Sequence, residues 1–96
     1  MYYENDSYLP FELRSLMRLS ELPHHAAATV LHVESAGEID SIAHRLRDLG
    51  FVQGEPVRVL AHGPFRRDPL LVQIGFTRFA LRRAEAQRVH VEPAQA

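Results

Sequence analysis

The 96-residue sequence contains no cysteine, no lysine and no tryptophan, and it has almost no excess of either charge. Without cysteine the chain has no disulfide framework, no thiolate metal ligand and no thiol nucleophile, and a reducing compartment is compatible with it. All 11 basic residues are arginines, so each fixed positive charge is a planar guanidinium. A net charge of −1 argues against nucleic acid as a partner, because domains that bind it are usually strongly basic.

Long apolar segments are also missing from the sequence. No stretch approaches the roughly 18 residues that a membrane span requires, and the first residues, Met1 to Asp6, are too acidic to begin a secretory signal peptide. The composition, 46% hydrophobic and 24% charged, is that of an ordinary globular domain. We therefore expect one small cytoplasmic domain that does not insert into a membrane.

The beginning of the chain differs in pattern from the remainder. Residues 1–17 show no clear period, although the spacing of their leucines is compatible with a short helix from Phe11 to Leu16. We interpret residues 1–17 as an N-terminal extension and residues 18–93 as the folded domain. The alternative that Met17 is the true start of the protein stays open.

One amphipathic helix is clearly indicated near the middle of the chain. Its apolar positions recur with the helical period, at Ile39, Ile42, Ala43, Leu46 and Leu49. Ser35 and Glu38 have the spacing of a capping box at its start. Gly50 is suited to the position that follows the last helical turn.

Short β-branched segments, separated by turn residues, predict five strands on either side of this helix. We expect them at Ala27–Glu34, Val57–His62, Leu70–Ile74, Phe79–Arg82 and Arg88–Glu92, with one helical turn at Ala84–Ala86. This order indicates a mainly β fold, a small closed five-stranded barrel with one inserted α-helix. The side chains expected to fill the barrel are those of Val57, Val59, Val72, Ile74, Leu81, Val89 and Val91.

The segment Arg45–Gly54, RLRDLGFVQG, resembles the RLxxLGFxxG signature of the ferrous iron transport protein A (FeoA) family. Further similar motifs follow in order, from Leu19–Pro23 to Val89–Glu92, and cover nearly all of residues 19–92. The resemblance implies an SH3-like barrel with one inserted helix, in agreement with the fold predicted from the patterns. The sequence departs from the family at His24-His25 and at Arg67, where the family commonly has glycine.

The same resemblance implies a function. It suggests a small cytoplasmic accessory protein of bacterial ferrous iron uptake, which binds the cytosolic region of the FeoB-type membrane GTPase permease and modulates it. The alternative is a free-standing metal-sensing regulator, because similar SH3-like domains form the C-terminal part of metal-dependent repressors. The sequence contains neither a nucleotide-binding glycine loop nor a nucleophile elbow, so we do not expect an enzyme.

Candidate partner-binding residues lie in two turns of the predicted barrel. Phe65, Arg66, Arg67 and Asp68 form a loop with an aromatic side chain and two guanidinium groups, which are typical of binding hot spots. We expect one of the two arginines to pair with Asp68. Phe76, in the next turn, is either a second contact residue or a cap on the end of the barrel.

Six histidines make up the unusual part of the composition, and imidazole is the commonest protein ligand for metals such as zinc. His32 and His90 should point outward from the first and last strands, which pair in an SH3-like barrel. His24 and His25, with Glu21, form a second candidate set. Two ligands are fewer than a structural or catalytic zinc site needs, so we expect no cofactor and at most weak binding of divalent metal.

Overall fold

One antiparallel sheet of six strands forms the fold, in the order β1-β6-β2-β3-β4-β5. The computed structural model describes residues 17–35, 37, 40–66 and 68–94. Its strands are β1 (Met17–Arg18), β2 (Ala27–Val33), β3 (Pro56–Phe65), β4 (Asp68–Ile74), β5 (Thr77–Leu81) and β6 (Val89–Pro93). Strands β2 to β6 correspond to the five predicted strands, so the predicted mainly β architecture is confirmed.

The additional strand β1 is only two residues long and lies at one edge of the sheet. It pairs Met17 with Val91 and Arg18 with His90 on β6. The helix predicted from Phe11 to Leu16 lies outside the described residues, as does the rest of the proposed extension before Met17. The boundary drawn at residue 17 therefore stays a prediction, but Met17 itself belongs to the sheet.

The core lies inside the curved sheet. All seven side chains predicted to point inward are buried, and they are joined by further apolar residues that include Val30, Leu70 and Phe51. Full burial of such a side chain is worth about 1.5–3 kcal/mol relative to exposure, so this apolar interior dominates the stability of the fold. Within the described ranges no hydrogen bonds join β1 to β5, so the cylinder is open along this seam rather than closed.

Helix α1 (Ser41–Asp48) connects β2 to β3 and packs Ala43 and Leu46 into the core. Helix α1 does not begin at the predicted capping box of Ser35 and Glu38. The N-cap is Asp40, whose Oδ1 accepts hydrogen bonds from the backbone N–H groups of Ile42 and Ala43, both at 3.1 Å. The hydroxyl of Ser35 instead accepts a hydrogen bond from Arg47, at 2.7 Å.

A second, four-residue helix α2 (Arg83–Ala86) lies between β5 and β6, where one helical turn was predicted. Its Glu85 accepts a hydrogen bond from the backbone N–H of Arg82 at 2.9 Å. The other carboxylate oxygen of Glu85 pairs with Arg45, and this ion pair links α2 to α1. Helix α2 also contacts β4 and the 3₁₀ turn at Leu19–Glu21, so it spans the open side of the sheet.

Candidate functional site

The connection between β3 and β4 is a tight hairpin rather than the longer loop that the sequence suggested. Strand β3 continues to Phe65 and β4 begins at Asp68, with Phe65 and Asp68 paired. A side chain at Gly63 would collide with the backbone of the returning strand, because a Cβ there would lie 2.2 Å from the carbonyl oxygen of Asp68. The absence of a side chain at Gly63 is therefore what allows the two strands to approach.

This hairpin presents its predicted contact residues to solvent. Phe65 is 79% exposed, and Arg66 is exposed with a φ of 55°. Arg67 lies outside the described residues. Among the described residues Asp68 forms no ion pair with Arg66, and its pairing with Arg67 stays a prediction. The carboxylate of Asp68 accepts a hydrogen bond from the backbone N–H of Arg83 at 3.0 Å.

Two grooves flank the hairpin tip. The first, of about 680 Å³, is lined by Arg18, Ser20, Glu21, Arg66, Arg83 and Gln87. The second, of about 490 Å³, is lined by Phe65, Asp68, Pro69, Ala80 and Arg82. Phe65 and Arg66 are adjacent in the chain but line different grooves, so a partner that covers the tip can meet an aromatic surface and a basic surface together.

Phe76 does not join this surface. It lies in the two-residue connection Gly75–Phe76 between β4 and β5, where Ile74 pairs with Thr77. Gly75 has a φ of 58°, which suits a glycine at the first central position of a hairpin turn. The two hairpins are at opposite ends of β4, so Phe76 and Phe65 cannot belong to one small contact patch. Phe76 is fully exposed and does not cap the barrel.

The structure brings together the histidines predicted on the first and last strands. His32 and His90 are register partners on β2 and β6. Their imidazole rings are stacked, with centroids 4.3 Å apart and planes 9° apart. The pKa of His32 is lowered below its usual value of 6.5, mainly because burial removes part of the hydration of the ring and also because His90 lies nearby. The negative charge of Glu34 acts in the opposite direction and raises this pKa.

Glu34 connects this histidine pair to the edge strand β1. Its Oε2 lies 3.1 Å from Nε2 of His90 and 3.0 Å from a guanidinium nitrogen of Arg18. The contact with His90 and the positive charge of Arg18 lower the pKa of Glu34 below its ordinary value. The sequence analysis did not place Glu34 or Arg18 in this site. Arg18 is far in the chain from His32 and His90, so no local pattern relates it to them.

His24 and His25 are close to each other and to a third histidine that the sequence analysis had not singled out. The ring of His24 is stacked on that of His25 at 5.2 Å and meets the ring of His62 edge-on at 4.8 Å. Glu21 does not turn toward them, since its Oε1 accepts a hydrogen bond from the backbone N–H of Arg18 at 2.7 Å. His62 sits on β3, and only the tertiary packing reveals its position.

Neither set of histidines is a complete metal site. Among the residues that the structure describes, no three His, Cys, Asp or Glu side chains are arranged to hold an ion. The stacked pair of His32 and His90 provides two imidazoles, and a zinc site in a protein usually has three or four protein ligands. Within the described residues, neither set of histidines therefore supplies the ligands of a usual zinc site.

Comparison with known proteins identifies the family. The FeoA domain matches residues 17–93. The chain belongs to the FeoA family. A crystal structure of FeoA from Stenotrophomonas maltophilia, complexed with zinc and described as an SH3 domain protein, shares 60% identity over 78% of this chain and 88% of that chain, with a TM-score of 0.72.

Other solved structures share the same fold. The solution structure of FeoA from Chlorobium tepidum has 33% identity over 82% of this chain and 71% of that chain, with a TM-score of 0.72. A manganese-dependent transcriptional repressor matches 81% of this chain with 41% of its own, at 20% identity and a TM-score of 0.68, which shows a shared fold only. The predicted SH3-like fold and FeoA resemblance are both confirmed. No match is found among curated proteins.

None of the helices in the described part of the chain has both the length and the apolar character needed to cross a membrane.

Proposed function

We propose that this FeoA family member is a cytoplasmic accessory protein of ferrous iron uptake, which acts by binding rather than by catalysis. Its partner in this proposal is the cytosolic region of a FeoB-type membrane GTPase permease. The observation that carries the proposal is the exposed Phe65 beside Arg66 on the β3–β4 hairpin. Aromatic residues and arginine are both enriched in protein–protein interfaces.

Binding at this hairpin would regulate the partner through differential affinity. A protein that binds one nucleotide state of a GTPase more tightly than another shifts the equilibrium between the states by that difference in affinity. Arg67, which follows Arg66 in the sequence, is a further candidate contact.

Calorimetric titration against the cytosolic region of the permease, in its nucleotide-free, GDP-bound and GTP-analogue-bound states, tests the proposal. We expect binding in at least one state, and we expect Phe65→Ala to weaken it by about tenfold or more. Phe76→Ala is the matched control, because it removes the same side chain from the opposite end of β4. No heat of binding in any state would refute the proposal. If only Phe76→Ala weakened binding, the contact would lie at the opposite end of β4 from Phe65, which would also contradict the proposal.

A second candidate function is weak binding of divalent metal by a free-standing regulator. It is favoured by the proximity of His32 and His90 and by a FeoA relative that was crystallised with zinc. Titration with zinc or ferrous iron tests it, using His32→Ala and His90→Ala, and separately His24→Ala and His25→Ala. Saturable binding that only the first pair of substitutions abolishes would support this function, whereas equal binding by all variants would exclude these residues as ligands.

A further inference from the structure

Three arginines from separate parts of the chain line the larger groove beside the hairpin. Arg18 comes from β1, Arg66 from the β3–β4 hairpin and Arg83 from the first turn of α2. Among the lining residues that the structure describes, Glu21 is the one acidic residue. The groove therefore concentrates positive charge on a chain whose net charge is −1.

The three guanidinium groups differ in how they are held. Arg18 is fixed, because its side chain donates hydrogen bonds to Oε2 of Glu34 at 3.0 Å and to the carbonyl oxygen of Gln87 at 2.7 Å. Within the described ranges, the side chains of Arg66 and Arg83 form no ion pair and no hydrogen bond. The guanidinium groups of Arg66 and Arg83 are thus available to a ligand, and the guanidinium of Arg18 lies beside them in a fixed position.

Glu21 keeps its negative charge in the groove, but within the described ranges it forms no ion pair with Arg66 or Arg83. Its Oε1 accepts a hydrogen bond from the backbone N–H of Arg18, in the 3₁₀ turn at one side of the groove. Ser20 is largely buried. Three arginines thus stand against one carboxylate among the described lining residues.

We propose that this groove binds an acidic peptide segment of a protein partner, with Asp or Glu carboxylates paired to Arg66 and Arg83. Guanidinium groups bind carboxylates with two parallel hydrogen bonds, which gives both charge and orientation. Phe65, on the other side of the hairpin tip, provides an apolar contact for a residue next to the acidic segment. This inference rests on the proposed function, since it names the chemistry of the partner at the same hairpin.

A protein segment fits the groove better than a membrane or a nucleic acid. Those polyanions are usually bound by broad, strongly basic surfaces, whereas here Arg66 and Arg83 line one concave site on a chain with a net charge of −1. The adjacent aromatic side chain of Phe65 is also typical of contacts between proteins.

Titration of the ¹⁵N-labelled full chain with an acetylated hexaglutamate peptide, followed by NMR, tests this inference. We expect shifts of the backbone amides of Arg18, Ser20 and Arg83, and none with hexaglutamine. The double variant Arg66→Glu/Arg83→Glu should bind hexaglutamate at least about tenfold more weakly. Arg78→Glu is the matched control, because it reverses an exposed charge at the far end of β5 and should bind like the wild type.

Three results would overturn the inference. They are equal binding by the double variant and Arg78→Glu, the same amide shifts with inorganic phosphate at equal concentration, and binding to vesicles of phosphatidylcholine and phosphatidylglycerol that the double variant alone loses. The neutral variant Arg66→Gln/Arg83→Gln replaces the double charge reversal if that protein does not fold. It should also bind hexaglutamate more weakly than the wild type.

The same variants separate this inference from the proposed function. If the cytosolic region of the permease binds the wild type and the double charge reversal equally, the inference that an acidic segment of the partner binds this groove is refuted. The proposed partner itself then stands. If hexaglutamate binds in the groove and the permease region does not bind at all, the partner is refuted and the acidic-peptide groove stands.

Discussion

The stacked rings of His32 and His90 owe their position to a bulge in β2. Val30 pairs with Val91, but His32 rather than Leu31 pairs with His90, so the register shifts by one residue at this point. The extra residue leaves both Val30 and Leu31 buried and turns His32 outward. Residues that lie opposite each other on antiparallel strands share a face, and the bulge therefore places the two imidazoles on the outside together.

The histidine pair makes the stability of the protein dependent on pH. The pKa of His32 is below its usual 6.5 in the folded state, so the unfolded chain takes up protons first as the pH falls. We expect the free energy of unfolding, measured with urea between about pH 7.5 and 3.5, to begin to decline near pH 6.5. The lowered pKa of Glu34 adds a further decline below about pH 4.5, its ordinary value.

Substitution of His32 distinguishes this effect from general acid destabilisation. His32→Gln should remove the part of the decline below pH 6.5 that belongs to this residue. His44→Gln is the control, since His44 is exposed on α1 and lies near Asp48 rather than near another histidine. An unchanged dependence on pH in His32→Gln would contradict the assignment.

Asp40 should contribute strongly to stability through two interactions. It caps α1 with Oδ1, and its largely buried Oδ2 pairs with Arg88. Asp40→Ala removes both interactions and leaves Arg88 without this partner, so we expect a loss of about 2–4 kcal/mol in the free energy of unfolding. Asp40→Asn retains the cap and should lose about half as much. A change below about 0.5 kcal/mol in Asp40→Ala would argue against this role.

The close approach of the strands at Gly63 predicts a second destabilising substitution. In Gly63→Ala the new methyl group would meet the backbone of Asp68 and Pro69, which cannot move aside like the end of a flexible side chain. We expect a loss of about 1–3 kcal/mol, measured by denaturant unfolding. Pro64→Ala, at the neighbouring exposed position of the same hairpin, should change stability less. Equal effects of the two substitutions would contradict the steric explanation.

Removal of the first 16 residues tests the proposed extension. A chain of residues 17–96 keeps β1, with Met17 paired to Val91, so we expect its melting temperature to remain within a few degrees of that of the full chain. A chain that begins at Leu19 also loses the hydrogen bonds of Arg18 to Glu34 and Gln87. It should be less stable by about 1–3 kcal/mol. Unfolding of the 17–96 chain would refute the boundary.

Most of the architecture was predictable because it depends on local patterns. The period of α1, the alternation within β4 and β6, and the turn residues between strands are each encoded within a few neighbouring residues. The predicted start of α1 was wrong because Ser35 and Asp40 are both good capping residues and the sequence alone did not distinguish them. The choice between them depended on Arg47 and Arg88, which contact these two side chains from elsewhere in the structure.

The candidate surfaces were only partly predictable from the sequence. Phe65 and Arg66 were identified as exposed contact residues because turn chemistry surrounds them. The sequence did not show that Phe76 lies far from these two residues, because only the order of the hairpins places it at the opposite end of β4. Arg18 and Arg83 were not recognised as neighbours of Arg66, because no local pattern relates residues so far apart in the chain.

By itself the sequence indicated the family, through its resemblance to the FeoA motifs. It also determined the barrel with its inserted helix and the seven predicted core residues, because apolar periodicity and turn residues act over short distances. The tertiary structure decided how the surface groups meet. A one-residue bulge sets the register that stacks the two histidines predicted on paired strands, and the packing of β1, the hairpin and α2 brings three arginines to one groove. Long-range pairing follows from how the whole sheet curves around its core, which no short segment of the chain specifies.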